Sequence, residues 1–95
     1  MNALQSKGWD DFLALCQGAD SKEVLDELCG LLFTLEEKEQ LALRVELVKE
    51  LLKGEKTQRE ISRELNISIA KITRGSNALK TASDQLKAFI KKIVD

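Results

Sequence analysis

Apolar residues recur along this chain at helical intervals, and a capping residue stands before most of the runs. Trp9, Phe12, Leu13 and Cys16 fall at i, i+3, i+4 and i+7, which predicts an amphipathic helix from near the N-terminus to about Gln17, stopped by Gly18. Asp20 or Ser21 can cap a short second helix carrying Val24, Leu25, Leu28 and Leu31. Thr34, with Glu37 three residues on, has the form of a capping box and opens a longer helix that ends at Gly54. Thr57 and Glu60 repeat that form and open a short helix to about Leu65. A fifth helix follows from about Ser68 or Ile69 to Lys80, and a sixth starts near Ser83 with Leu86, Phe89, Ile90 and Ile93 on one face. The expected fold class is all-α, six helices joined by links too short to separate domains. A single domain over 1–95 is expected, with 1–55 as dimerisation scaffold, 57–80 as a helix-turn-helix and 83–95 as the C-terminal helix.

The third helix is apolar over too wide an arc for a surface helix. Leu41, Leu43, Val45, Leu47, Val48, Leu51 and Leu52 cover about 200° at 100° per residue, roughly twice the stripe a surface helix needs. Few other elements exist to cover it, so a second copy of the chain is the natural supplier, and an intertwined homodimer is expected. Arg44 falls inside the apolar arc. It is either an edge residue snorkelling to solvent or a guanidinium placed for a ligand.

Residues 57–74 carry a helix-turn-helix pattern. Ile61 and Leu65 form the inner face of its first helix, and Asn66 occupies the tight turn, where a residue tolerating left-handed backbone is wanted. Ile67 fills the corner, Ser68 caps the second helix, and Ile72 packs back onto the first. Outward positions are Gln58, Arg59, Ser62 and Arg63 on the first helix and Ala70, Lys71, Thr73 and Arg74 on the second. Such side chains suit phosphate contacts, and the small apolar surface of Ile69 and Ala70 suits an approach to base edges. Gly75 interrupts a good helix, where it marks either a kink or a close approach of backbone to a planar ligand.

Charge sharpens this picture once it is divided. The net charge of −1 is uninformative, but residues 1–55 hold six Lys/Arg against twelve Asp/Glu, and residues 56–95 hold nine against four. A polyanion would meet the second part and not the first. With no His there is no His-based triad and no usual zinc constellation, and no metal is expected. Glu36, Glu37 and Glu39 read as a first turn complementing the helix dipole, so no enzyme is expected. Cys16 and Cys29 have no metal-ligand spacing and read as reduced core thiols. No apolar run approaches about 18 residues, and no signal-peptide core is visible, so a soluble cytoplasmic chain with no membrane partner is expected.

Three segments resemble the Trp repressor family of bacteria, tryptophan-dependent repressors of tryptophan operons. Ile72-Thr73-Arg74-Gly75-Ser76-Asn77 resembles its ITRGSN segment, Leu51-Leu52-Lys53-Gly54-Glu55 with Gln58-Arg59-Glu60 its LLRGE…QRE stretch, and Leu41-Ala42-Leu43-Arg44-Val45 its helix with a ligand-stacking Arg. The resemblance spans roughly residues 9–94. It implies that Arg44 and Arg74 sandwich the indole of L-tryptophan as co-repressor. Arg74 and the Thr34 hydroxyl would then hold the carboxylate, carbonyls near Leu31 and Phe33 the ammonium, and Gly75 would leave room for the ring beside Ala78. It also implies that Gln58, Arg59, Ser62, Ser68, Ile69, Ala70, Lys71, Thr73 and Lys80 face double-stranded operator DNA, bound by a homodimer.

The departures from the family pattern are Ala78 for a Ser facing the ligand amino group, Ser62 for a basic residue, Lys71 for a small hydroxylic one, and Leu35 for Pro. The function expected is a tryptophan-activated repressor of tryptophan-metabolism genes. A ligand-independent helix-turn-helix regulator and a helical protein-interaction module are the alternatives.

Overall fold

The computed structural model describes residues 1–94, and among them there are six helices and no strand. They are α1 (Ala3–Gly18), α2 (Lys22–Leu32), α3 (Leu35–Lys53), α4 (Gln58–Leu65), α5 (Ile69–Lys80) and α6 (Asp84–Val94). The chain divides into two compact units, one of residues 1–38 and one beginning at Glu39. Among the described residues, no helix is long and apolar enough to cross a membrane.

Side-chain caps set most of the helix starts. Ser21 Oγ accepts from the Val24 amide at 3.1 Å and begins α2. Thr34 and Glu37 make the expected reciprocal pair, the Glu37 amide donating to Thr34 Oγ1 at 3.1 Å and the Thr34 amide to Glu37 Oε1 at 2.9 Å. Thr57 and Glu60 do the same for α4, at 3.2 and 3.1 Å. A third box, Asn2 with Gln5, starts α1 and was not foreseen from the sequence. Gly18 does not end α1 in the way expected of a terminal glycine. It is the last helical residue, and Ala19 closes the helix in extended conformation with its N–H on Leu15 O. Only Gly54 among the glycines takes a positive φ, +65°, where α3 turns into the link to α4.

Aromatic contacts and one ion pair join different helices of the first unit. Trp9 and Phe12 lie 5.4 Å apart and tilted, Phe12 meets Phe33 edge-on at 6.0 Å, and Lys38 reaches Asp26 at 3.4 Å. The second unit has a core of one residue from each of three helices: Leu47 of α3, Ile61 of α4 and Ile72 of α5, at 5%, 2% and 0% exposure. Leu51, Leu65 and Ile67 pack around them. Within the single chain, the wide apolar arc of α3 is therefore not buried. Leu47 is its one buried residue, while Leu41, Leu43 and Val45 are open to solvent, as are Leu86, Phe89 and Ile93 of α6.

Gly75 has a packing reason that neither sequence reading anticipated. A Cβ at this position would stand 2.8 Å from Leu47 Cδ2 and 3.5 Å from its Cγ, with Leu51 Cδ1 at 3.7 Å. The glycine lets α5 close on the scaffold helix α3, and α5 runs through it without interruption. Alanine at 75 gains about 1 kcal/mol of helix propensity. Forcing a methyl onto a buried leucine costs about 1–3 kcal/mol. Gly75→Ala is expected to cost about 1 kcal/mol of stability net, read as a lower urea midpoint, and a Leu47→Val background should recover most of the loss. A Gly75→Ala variant as stable as the parent would contradict the contact.

Candidate functional site

The helix-turn-helix is built locally by polar side chains and locked by the three-residue core. Asn66 sits in left-handed backbone at φ 53°, ψ 49° and closes α4, its N–H on Ser62 O. Ile67 N–H donates to Ser62 O at 3.2 Å, and Ser62 Oγ donates to Ile67 O at 2.6 Å. Ser68 Oγ then accepts from the Lys71 amide at 3.2 Å to begin α5. Thr73 Oγ1 donates back to Ile69 O at 3.0 Å. Between these links, Ile61 and Ile72 bury their side chains against each other's helices and Leu47.

Of the residues expected to face DNA, Gln58, Arg59, Ser68, Ile69, Ala70, Lys71, Thr73 and Lys80 are exposed. Ser62 differs. It is half-buried, and its hydroxyl proton is spent on the turn carbonyl, so its place is in the joint between α4 and α5 rather than on an outward face. The start of α5 has no acidic residue in its first turn, whereas α2, α3, α4 and α6 each do. Its dipole therefore presents uncompensated positive character beside Lys71.

A cavity of about 470 Å³ opens within the second unit between α3, α5 and α6. That volume suits a small organic ligand. Arg44 of α3 and Arg74 of α5 both line it, with Gly75 and Ala78, so four of the seven expected ligand residues come together. Leu31, Phe33 and Thr34 belong to the first unit, at the junction of α2 and α3. There Thr34 Oγ1 serves as a cap acceptor and Phe33 stacks edge-on against Phe12.

Leu43, Leu47, Val48, Leu86 and Ile90 give the cavity apolar walls. Lys71 also lines it, a placement the sequence reading missed by assigning Lys71 to DNA alone. The signal was present: Lys71 and Arg74 are three apart and share a helix face. No carboxylate lines the cavity, and none of Arg44, Lys71 and Arg74 has an ion-pair partner among the described residues. A guanidinium beside apolar walls is chemically able to stack on a flat apolar body and to bind an anionic group through paired N–H groups.

A further polar cluster lies where α3 passes into α4. Lys56 Nζ stands 2.9 Å from Glu50 Oε2 and 2.6 Å from Glu64 Oε2. The hydrogen bond from Lys56 holds the Glu50 carboxyl below its ordinary range, and the same contacts, Glu64 first, push the Lys56 ammonium upward. Glu60 is also lowered, chiefly because the Thr57 backbone N–H donates to its carboxylate in the capping box.

The sequence model of the Trp repressor protein family matches residues 7–94. Among curated relatives, a Trp operon repressor homolog of Chlamydia trachomatis serovar L2 is 41% identical over 92 residues, covering 97% of this chain and 98% of the relative. One of Chlamydia caviae is 43% identical over 86 residues, covering 90% and 85%. One of Vibrio vulnificus is 42% identical over 87 residues, covering 92% and 85%.

Acid should loosen the helix-turn-helix through Glu50 and Glu60. Both carboxyls titrate lower when folded than when unfolded. Their contribution is therefore complete above about pH 4.3 and disappears as pH falls through the lowered folded values. Lys56 works oppositely: its contribution is complete below about pH 10.4 and is lost only as pH rises through its raised folded value. Urea midpoints measured at pH 7, 4 and 3 should fall across the acid range. The fall should be shallower in a Glu50→Gln/Glu60→Gln double variant, since Gln still serves a capping box. An equally steep acid limb in that variant would remove both groups as its source.

Proposed function

Because this chain belongs to the Trp repressor family, a family of transcriptional repressors, we propose that it is a tryptophan-activated repressor that binds operator DNA as a homodimer. The observation that carries the ligand half of this reading is the cavity joining Arg44 of the scaffold helix α3 to Arg74 of the recognition helix α5. In this reading the indole ring would lie between the two guanidinium groups, with the amino acid's carboxylate toward Arg74 and the apolar walls against the ring. Thr34, Leu31 and Phe33 are proposed as ligand contacts on the family resemblance alone. A ligand seated between α3 and α5 fixes the tilt of α5 and raises the population of the DNA-competent arrangement. Tryptophan and DNA must then tighten one another's binding by the same factor.

The DNA half rests on the exposed row from Gln58 and Arg59 through Ile69, Ala70, Lys71 and Thr73 at the start of α5, in the cation-rich part of the chain. Arg, Lys and Thr set the register on phosphates, while Ile69 and Ala70 approach base edges. The gene control expected is that of tryptophan metabolism in the bacterial cytoplasm. Dimerisation is supported by the open apolar faces of α3 and α6, together with Leu4, Trp9 and Leu31 of the first unit. Ala78, exposed in the cavity wall without a polar side-chain atom, favours one second reading: a helix-turn-helix regulator that needs no ligand.

Duplexes enriched from random sequence by the protein provide the probe. At one fixed salt concentration, affinity for the enriched duplex should rise on adding L-tryptophan; equal affinities would favour the ligand-independent reading and leave DNA binding intact. Arg74→Ala should weaken calorimetric tryptophan binding by about 2 kcal/mol, roughly thirtyfold, the loss of a charge-assisted hydrogen-bonding partner. Unchanged binding would refute the assigned site. Sedimentation at micromolar concentration should give a folded species of twice 10.6 kDa, and a folded monomer would refute the dimer.

A further inference from the structure

We infer that Lys56 is a positioning residue for DNA binding, its ammonium clamping the first helix of the helix-turn-helix to the scaffold helix through Glu64 of α4 and Glu50 of α3. The inference rests on the DNA-binding reading above.

The geometry is that of one cation bridging two helices from the link between them. Glu50 lies one turn before the end of α3, Lys56 lies in the link, and Glu64 lies in the last turn of α4, next to the Asn66 turn. Lys53 adds a weaker approach to Glu50 at 3.9 Å. An exposed, isolated pair would contribute little, because two flexible side chains must be held and water screens the charges. Here a single ammonium serves both carboxylates, and the Glu50 side chain is only 13% exposed, so screening is reduced at that end.

The link that this cluster spans contains Gly54 in left-handed backbone, followed by Glu55, and those two residues are the natural place for α4 to swing relative to α3. Any such swing moves Glu64 away from Glu50, and a side chain holding both must release one. The hydrophobic contacts of Ile61 and Leu65 with Leu47 and Leu51 hold α4 against α3 but are not directional. The ion pairs supply the directional restraint. Since α5 is joined to α4 through Asn66 and the Ser62–Ile67 bonds, fixing α4 also fixes where α5 presents Ile69, Ala70 and Lys71.

Two effects of opposite sign make this testable. Glu64→Gln removes a negative charge, which by itself strengthens attraction to DNA. It also breaks the clamp, which by this inference weakens binding. With duplexes enriched by the wild-type chain in the presence of L-tryptophan, and at fixed salt, Glu64→Gln should bind about three- to fivefold more weakly. Lys56→Met should lose at least as much, and Lys56→Arg should retain near wild-type affinity. In the DNA-free protein, amide hydrogen exchange across α4 should quicken in Glu64→Gln and Lys56→Met but not in Lys56→Arg. Affinity in Glu64→Gln equal to or above wild type, or exchange in α4 unchanged, would overturn the clamp. A wild-type chain that enriches no duplex would instead overturn the DNA-binding reading, and with it the clamp's role in DNA binding; the exchange comparison would still show whether Lys56 restrains α4.

Discussion

The approach of α5 to α3 at Gly75 and Leu47 governs the arrangement of everything in the second unit. Leu47, Ile61 and Ile72 come from three different helices, and their contact is the buried centre at which scaffold helix and helix-turn-helix are fastened, with Leu51, Leu65 and Ile67 packed around it. A methyl at 75 would sit 2.8 Å from Leu47 Cδ2, so either the Leu47 side chain gives way or α5 stands off from α3. Less than two turns of α5 then serve three surfaces. Ile72 is buried in the core, Lys71, Arg74 and Gly75 line the cavity with Gly75 also against Leu47, and Thr73 and Ala70 are exposed.

What was legible in the sequence was legible because it was local. Thr34 with Glu37, Thr57 with Glu60, Asn66 in left-handed backbone and Ser68 at the start of α5 all act within about four residues of themselves. The residues that escaped depend on contacts between distant segments. Gly75 read as a kink or a ligand approach because its partner, Leu47, is 28 positions away and nothing in the spacing relates them. The cluster of Glu50, Lys56 and Glu64 depends on how α4 folds back on α3. Ser62 was placed outward by helical phase alone, which does not register that its hydroxyl is near enough to bond Ile67 O. Gly18 looked like a left-handed stop, yet an extended Ala19 bonding Leu15 O ends α1 equally well, so no glycine conformation was required.

Arg44 shows the same limit from the other side. Its apolar neighbours, Leu43, Leu47 and Val48, admitted either a snorkelling cation or a stacking one. Its place on the cavity wall with Arg74, with no carboxylate among the lining residues, makes it a cation that faces a cavity rather than a cation that has been paired. Among the described residues Arg44, Lys71 and Arg74 have no ion-pair partner, so on the proposed reading an anionic ligand would supply a counter-charge.

Within the single chain, a core of three side chains holds α5. A ligand shifts a conformational equilibrium only by its difference in affinity between two states, so on the proposed reading tryptophan must bind the DNA-competent arrangement better. A ligand touching Arg44 on one side and Arg74 on the other would add a restraint between α3 and α5 to that small core. The faces of α3 and α6 stay open within the single chain, and on the proposed reading a second copy would cover them and add stability without thickening the contact between α3 and α5. On the clamp inference, Lys56 restrains α4 at the edge of this contact through its two ion pairs, and the position of α5 follows from that of α4.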